Sequence, residues 1–160
     1  MRAHLRPIAG LLIALALVLG TTSASSGQGA TVQDDPRDIV SATVAHRTQA
    51  IAVKVVTQYS YTTLTVVVEA RRAGVVRRYR AFVFDETSGW KVIGPAGGIR
   101  CTAAQRDAYG ASTVTIRGSF ARRCFGSPGA IRFRVVSEGD PGLDQGVLDR
   151  TAWSRWLRPS

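Results

Sequence analysis

From Ile39 onward the chain runs in short β-branched segments, each stopped by Gly, Pro, Asp or Ser, and this punctuation constrains the fold more than any other feature. In Ala50 to Thr57, Ile51, Val53 and Val55 alternate with Ala52 and Lys54; in Thr62 to Arg71, Leu64, Val66 and Val68 alternate with Thr65, Val67 and Glu69. A period of two places one set of side chains on each face of a strand. No stretch has a long 3.6-residue period, so a helical core is excluded.

Ile39 to Ala45 and Ala50 to Thr57 form a hairpin about His46-Arg47-Thr48-Gln49, which places His46 at a solvated tip. Thr62 to Arg71 and Val75 to Phe84 form a second about Arg72-Ala73-Gly74, with Gly74 supplying the positive φ of a tight turn. Trp90 to Ile93, Ile99 to Ala103, Ser112 to Arg117 and Ala130 to Val136 are further strands, and Ser119 to Phe125 reads as a single helical turn. Seven to nine short strands predict an all-β, antiparallel, jelly-roll-like β-sandwich.

The N-terminus reads differently. Arg2 and Arg6 precede an apolar run from Ile8 to Leu19, and Thr22-Ser23-Ala24 offers the small residues of a cleavage site. A membrane span needs about 20 apolar residues, more than this run supplies. Residues 1–24 are therefore expected to be a secretory signal helix, 25–37 a flexible leader poor in apolar side chains, and 38–160 the sandwich domain. The expected localisation is outside the cell or in its envelope, with no transmembrane segment in the mature protein. Two cysteines in an exported chain, Cys101 and Cys124, read as one disulfide.

The full chain has 160 residues and a net charge of +10, from 21 Lys+Arg and 11 Asp+Glu. Loss of Arg2 and Arg6 with the signal leaves +8. Only Lys54 and Lys91 are lysine. So lopsided an arginine share reads first as the mark of a GC-rich coding genome, and the charge alone is a weak pointer to an anionic partner.

Catalytic readings are poorly supplied. His46 is the one imidazole after the signal, and no nucleophile elbow, zinc-protease helix or P-loop occurs. Glu69 and Glu138 are the conceivable carboxylate pair, but a solvated strand face and a loop account for them. No enzyme activity and no cofactor are expected. Asp34, Asp35, Asp38, Asp140 and Asp144 could offer oxygen ligands to calcium, but their spacing matches no defined calcium loop and no metal site is assigned.

The arginines are more informative by strand parity. Arg78 and Arg80 share a face with Phe82 and Phe84, Arg132 and Arg134 share a face of their own strand, and Arg117 projects opposite Val114 and Ile116. Were these strands in one sheet, five guanidiniums would form a positive face able to fork onto phosphate, sulfate or carboxylate polymers. The competing reading is an ordinary solvated face whose charges discourage edge pairing. Trp90, Tyr59, Tyr61, Trp153 and Trp156 are candidate stacking platforms for a glycan. Trp153 and Trp156 also suit a tail packed over an open end of the sandwich. An anionic envelope polymer or a glycan is thus the expected partner, and nucleic acid is not, since no recognised motif for it is present. A structural or inhibitor protein without a small ligand is the remaining alternative.

The order Asp35-Pro36-Arg37-Asp38-Ile39, the Cys101 strand, Thr113-Val114-Thr115-Ile116, Cys124-Phe125-Gly126-Ser127-Pro128-Gly129, Ile131 to Val136, and the late Asp149 with Trp153 resembles uncharacterised secreted β-sandwich proteins of actinobacteria. Their layout is similar to that of carbohydrate-binding and DOMON-like sandwiches. The resemblance implies the fold and carries over no catalytic residue.

Overall fold

A computed structural model describes residues 28–33, 38–58, 63–84, 89–139 and 146–160. The expected signal helix lies outside the described residues, as do Tyr59, Tyr61, Asp34, Asp35, Asp140 and Asp144. Two antiparallel sheets pack face to face, as the alternation predicts. The five-stranded sheet is built from β1 (Gln28–Gln33), β2 (Ile39–His46), β3 (Ala50–Gln58), β8 (Arg106–Tyr109) and β9 (Thr113–Ala121), in the order β1-β2-β3-β9-β8. The six-stranded sheet contains β4 (Thr63–Arg72), β5 (Val75–Phe84), β6 (Trp90–Ile93), β7 (Ile99–Ala103), β10 (Ala130–Glu138) and β11 (Val147–Arg150), ordered β11-β10-β4-β5-β6-β7.

Strands β1, β8 and β11 exceed the expected set, and all three are edge strands. An edge strand covers little core and needs no clean alternation, so its composition reads as loop. The expected leader is corrected on this point: Gln28–Gln33 pairs along its length with Ser41–His46. The expected helical turn also begins later. Ser119 to Ala121 continue β9, and a 3-10 helix spans only Arg122–Phe125, closed by Gly126 at φ 75°.

The inward faces interlock as a largely aliphatic core: Ile51, Val53 and Val55 from β3, Leu64, Val66 and Val68 from β4, Ile131, Phe133 and Val135 from β10. At one end an edge-to-face aromatic chain runs Trp90–Phe120–Phe125–Tyr79, with ring centroids 5.9, 5.6 and 5.7 Å apart. Trp90, a candidate glycan platform by sequence, is a core anchor: it is fully buried, reaches across the sandwich and donates Nε1–H to the Arg117 carbonyl at 3.1 Å. It fits because position 118 is glycine: a Cβ there would lie 2.7 Å from the indole. The Cys101–Cys124 disulfide ties β7 to the 3-10 helix beside this cluster. Cross-linking residues 23 apart contributes about 3 kcal/mol by the chain-entropy model.

His46 is also corrected, from a solvated tip to a fully buried group at the end of β2, its Nδ1 3.2 Å from the Leu157 carbonyl. Burial, aided by the charge of Arg122 and opposed by that hydrogen bond, holds its pKa below the ordinary histidine value. The tail it contacts runs beside β10. Amides of Thr151, Ser154 and Leu157 donate to the carbonyls of Val135, Phe133 and Ile131 at 2.9, 2.8 and 2.7 Å. In return the hydroxyls of Thr151 and Ser154 accept from the amides of Val135 and Phe133. Three tail residues thus match two strand residues, and the hydroxyls fill the gaps that a wide step leaves in the ladder.

Candidate functional site

On the outer face of the six-stranded sheet, strand register lays the side chains out in rows. One row reads Arg132, Glu69, Arg78, and the next Arg134, Val67, Arg80 and Ile93, across β10, β4, β5 and β6. Arg78, Arg80, Arg132 and Arg134 therefore share one face of one sheet, as their parity requires. Arg117 does not join them: β9 belongs to the other sheet. The five-arginine face is corrected to four, because strand parity assigns a face but not a sheet.

Glu69 sits at the centre and is buried, not solvated. Arg78 donates to its Oε1 at 2.7 Å, and Arg132 donates to Oε2 from Nε at 2.7 Å and Nη2 at 2.6 Å. The hydrogen bond from Arg78, then that from Arg132 and the charges of both, outweigh desolvation and hold the carboxyl below its ordinary pKa. The tail supplies the opposite wall. Arg71 lies 4.5 Å from the Trp156 ring centroid; Arg132 lies 5.1 Å from Trp156 and 4.9 Å from Trp153; Arg134 lies 4.9 Å from Trp153. The result is an alternating stack, Arg71–Trp156–Arg132–Trp153–Arg134, in which each interior cation meets an aromatic face.

Arg80 has no ion-pair or hydrogen-bond partner among the described residues, and Arg78 remains 63% exposed despite its bond to Glu69. Arg80 lines a depression of about 440 Å³ together with Thr63, Thr65, Phe82, Phe84 and Glu138, and Arg78 points outward from the neighbouring row. Glu138 is too far along the register from Glu69 to act with it as a carboxylate pair: Thr63, its partner, stands six positions along β4 from Glu69.

The outer face of the five-stranded sheet carries a different array. Lys54, Arg117 and Arg106 lie side by side in one register row across β3, β9 and β8. The neighbouring row, Ala45, Ala52 and Ser119, is small and leaves a depression of about 510 Å³ with Arg47 on its other side. Among the described residues no acidic side chain lines it.

Sequence reasoning missed Glu69 as a hub, Arg71 as a stacking partner and the Lys54–Arg117–Arg106 row. A single acid inside the apolar run Leu64 to Ala70 was the signal for the first. The three-residue repeat Thr151-Ala152-Trp153, Ser154-Arg155-Trp156 was the signal for the tail. Among the described residues no group of three or more His, Cys, Asp or Glu side chains comes together to hold a metal ion, and no helix is long and apolar enough to cross a membrane.

Fold and surface together define a disulfide-linked antiparallel β-sandwich with cationic outer faces. Compared with known proteins, the chain matches no family model, no curated protein and no solved structure.

Proposed function

We propose that this is an exported, non-catalytic binding protein that holds an anionic polymer of the cell envelope against the outer face of its six-stranded sheet. The observation that carries the reading is the fixed arginine set on that face. Arg132 is locked between Glu69 and two tryptophans and Arg134 stacks on Trp153, while Arg78 and Arg80 remain open to a ligand beside them. Side-chain immobilisation on binding costs up to about 2 kcal/mol for a free arginine, so Arg78, which Glu69 already holds, gives more affinity than an unheld arginine does. A forked guanidinium also suits phosphate, sulfate or carboxylate oxygens better than a point charge does. The amino-terminal signal pattern supports export.

The ligand-facing pair is Arg78 and Arg80. Arg132 holds Glu69 with two hydrogen bonds and Arg78 holds it with one, so urea unfolding of each variant is measured beside binding to separate loss of ligand from loss of fold. Retention of the mature protein on an immobilised polyanion such as dextran sulfate should weaken as salt is raised, since exposed charge pairs are screened beyond about 10 Å at 0.1 M. It should be largely lost in Arg78→Glu plus Arg80→Glu. Retention indifferent to both changes refutes the proposal.

A further inference from the structure

A second concave site lies at the end of the sandwich, away from the outer face just described. The β4–β5 hairpin projects past the core: Arg71, Arg72, Val75, Val76 and Arg77 are all exposed. Its tight turn is formed by Ala73 and Gly74 at φ 47° and 80°. Along β4 and β5 the parity of Ala70 and Tyr79 points into the core, and Arg72 and Arg77 have that same parity. Two arginines therefore project into the gap between the sheets where no opposing strand covers them.

The 3-10 helix closes the other side of that gap. A cavity of about 320 Å³ remains, lined by Arg72, Arg77, Arg100, Tyr79, Val75 and Pro128, and no acidic side chain among the described residues lines it. Arg72 is turned toward the Gly126 carbonyl, with a long contact of 3.4 Å, and the Arg100 guanidinium lies 6.0 Å from the Tyr79 ring centroid. Tyr79 is 3% exposed, its ring edge-on to Phe125, and its hydroxyl is open to the cavity rather than sealed in the core. This hydroxyl reaches the cavity over Gly126, where any Cβ would come within 2.6 Å of it.

We propose that this end cavity is a separate binding site for a phosphate or sulfate ester, with Arg72, Arg77 and Arg100 supplying forked donors and the Tyr79 hydroxyl a fourth. The chemistry follows from the donors, which offer N–H and O–H groups and positive charge. The size follows from the volume, roughly ten times that of a water molecule, which accommodates an oxyanion with a compact organic group against Val75 and Pro128. The inference is independent of the polymer reading, since none of its residues belongs to the Arg78–Arg80 surface.

Amide NMR titration of the mature protein tests it, using glucose 6-phosphate, inorganic phosphate and, as neutral control, glucose. Glucose 6-phosphate should give saturable one-to-one shifts at Arg77, Tyr79 and Gly126, inorganic phosphate the same shifts at higher concentration, and glucose none. Tyr79→Phe removes only the hydroxyl and should leave the melting temperature in place while weakening glucose 6-phosphate about tenfold. Arg77→Gln should weaken it at least as much, and Arg78→Glu plus Arg80→Glu should leave it unchanged. Shifts that spread over both sheets without saturating, or that survive both Tyr79→Phe and Arg77→Gln, overturn the site.

Discussion

On the outer face of the six-stranded sheet Arg132 is gripped by Glu69 on one side and by Trp153 and Trp156 on the other, whereas across the sandwich Lys54, Arg117 and Arg106 stand in a row with no ion-pair partner among the described residues. Both faces are cationic, but only one is organised. The difference shows what a basic surface needs beyond charge. An exposed Lys or Arg attracts anions at a distance set by salt, yet it must still be ordered when a ligand arrives. The Glu69 and tryptophan contacts order theirs during folding.

The contrast is most exposed at Glu69. Replacement by Gln leaves the Arg132 guanidinium on the sheet without its counter-charge and should cost about 2 to 3 kcal/mol in urea unfolding, while Lys54→Gln on the opposite face should stay within about 0.5 kcal/mol. Equal costs would erase the distinction between the faces. Acid should expose the same residue. Its folded pKa lies below the ordinary value, so its contribution is present above the usual carboxylate range and is lost as pH falls through the folded value. Glu69→Gln should remove that part of the acid dependence, and a wild-type stability that falls no more steeply than the variant's as pH drops below the ordinary carboxylate range would count against the hub.

The tail contributes next. Trp153→Ala deletes the ring shared by Arg132 and Arg134 and should destabilise by about 1 to 2 kcal/mol, with amide exchange rising along Thr151 to Leu157. His46 holds the same tail from inside the sandwich. Because its folded pKa is lowered, the stability it contributes is complete above the ordinary histidine range of about 6.5 and declines as pH falls below it. Falling protection of the Leu157 amide, relative to its intrinsic exchange rate, as pH drops through that range and absent in His46→Gln would tie the tail to this residue. The smallest expected effect lies at the hairpin turn. Ala73 adopts φ 47°, a left-handed conformation that Asn tolerates better, so Ala73→Asn should stabilise by about 0.5 kcal/mol without altering either face.

Much of the fold was legible because burial imposes a period of two on interior strands. Ile51, Val53 and Val55 had to face one way, and they do. Edge strands escape that constraint: Gln28–Gln33 has half its surface uncovered and carries the composition of a loop. The candidate site was legible by half. Parity placed Arg78, Arg80, Arg132 and Arg134 on outward positions, but which sheet a strand joins depends on pairing between distant segments, and there Arg117 parted from the rest. The tryptophans misled for a related reason. Trp90 has room in the core only because Gly118, 28 residues on, lies beneath it, and local sequence does not show that meeting.

A charge-matched comparison of the two faces tests the central claim most directly. Arg78→Glu plus Arg80→Glu and Lys54→Glu plus Arg117→Glu alter the net charge equally, and binding of dextran sulfate by each would be measured against the unaltered protein at moderate salt. The first pair should abolish measurable binding, and the second should weaken it only by the general loss of attraction. Equal losses, or a greater loss from the second pair, would contradict the assignment of the ligand to the organised face.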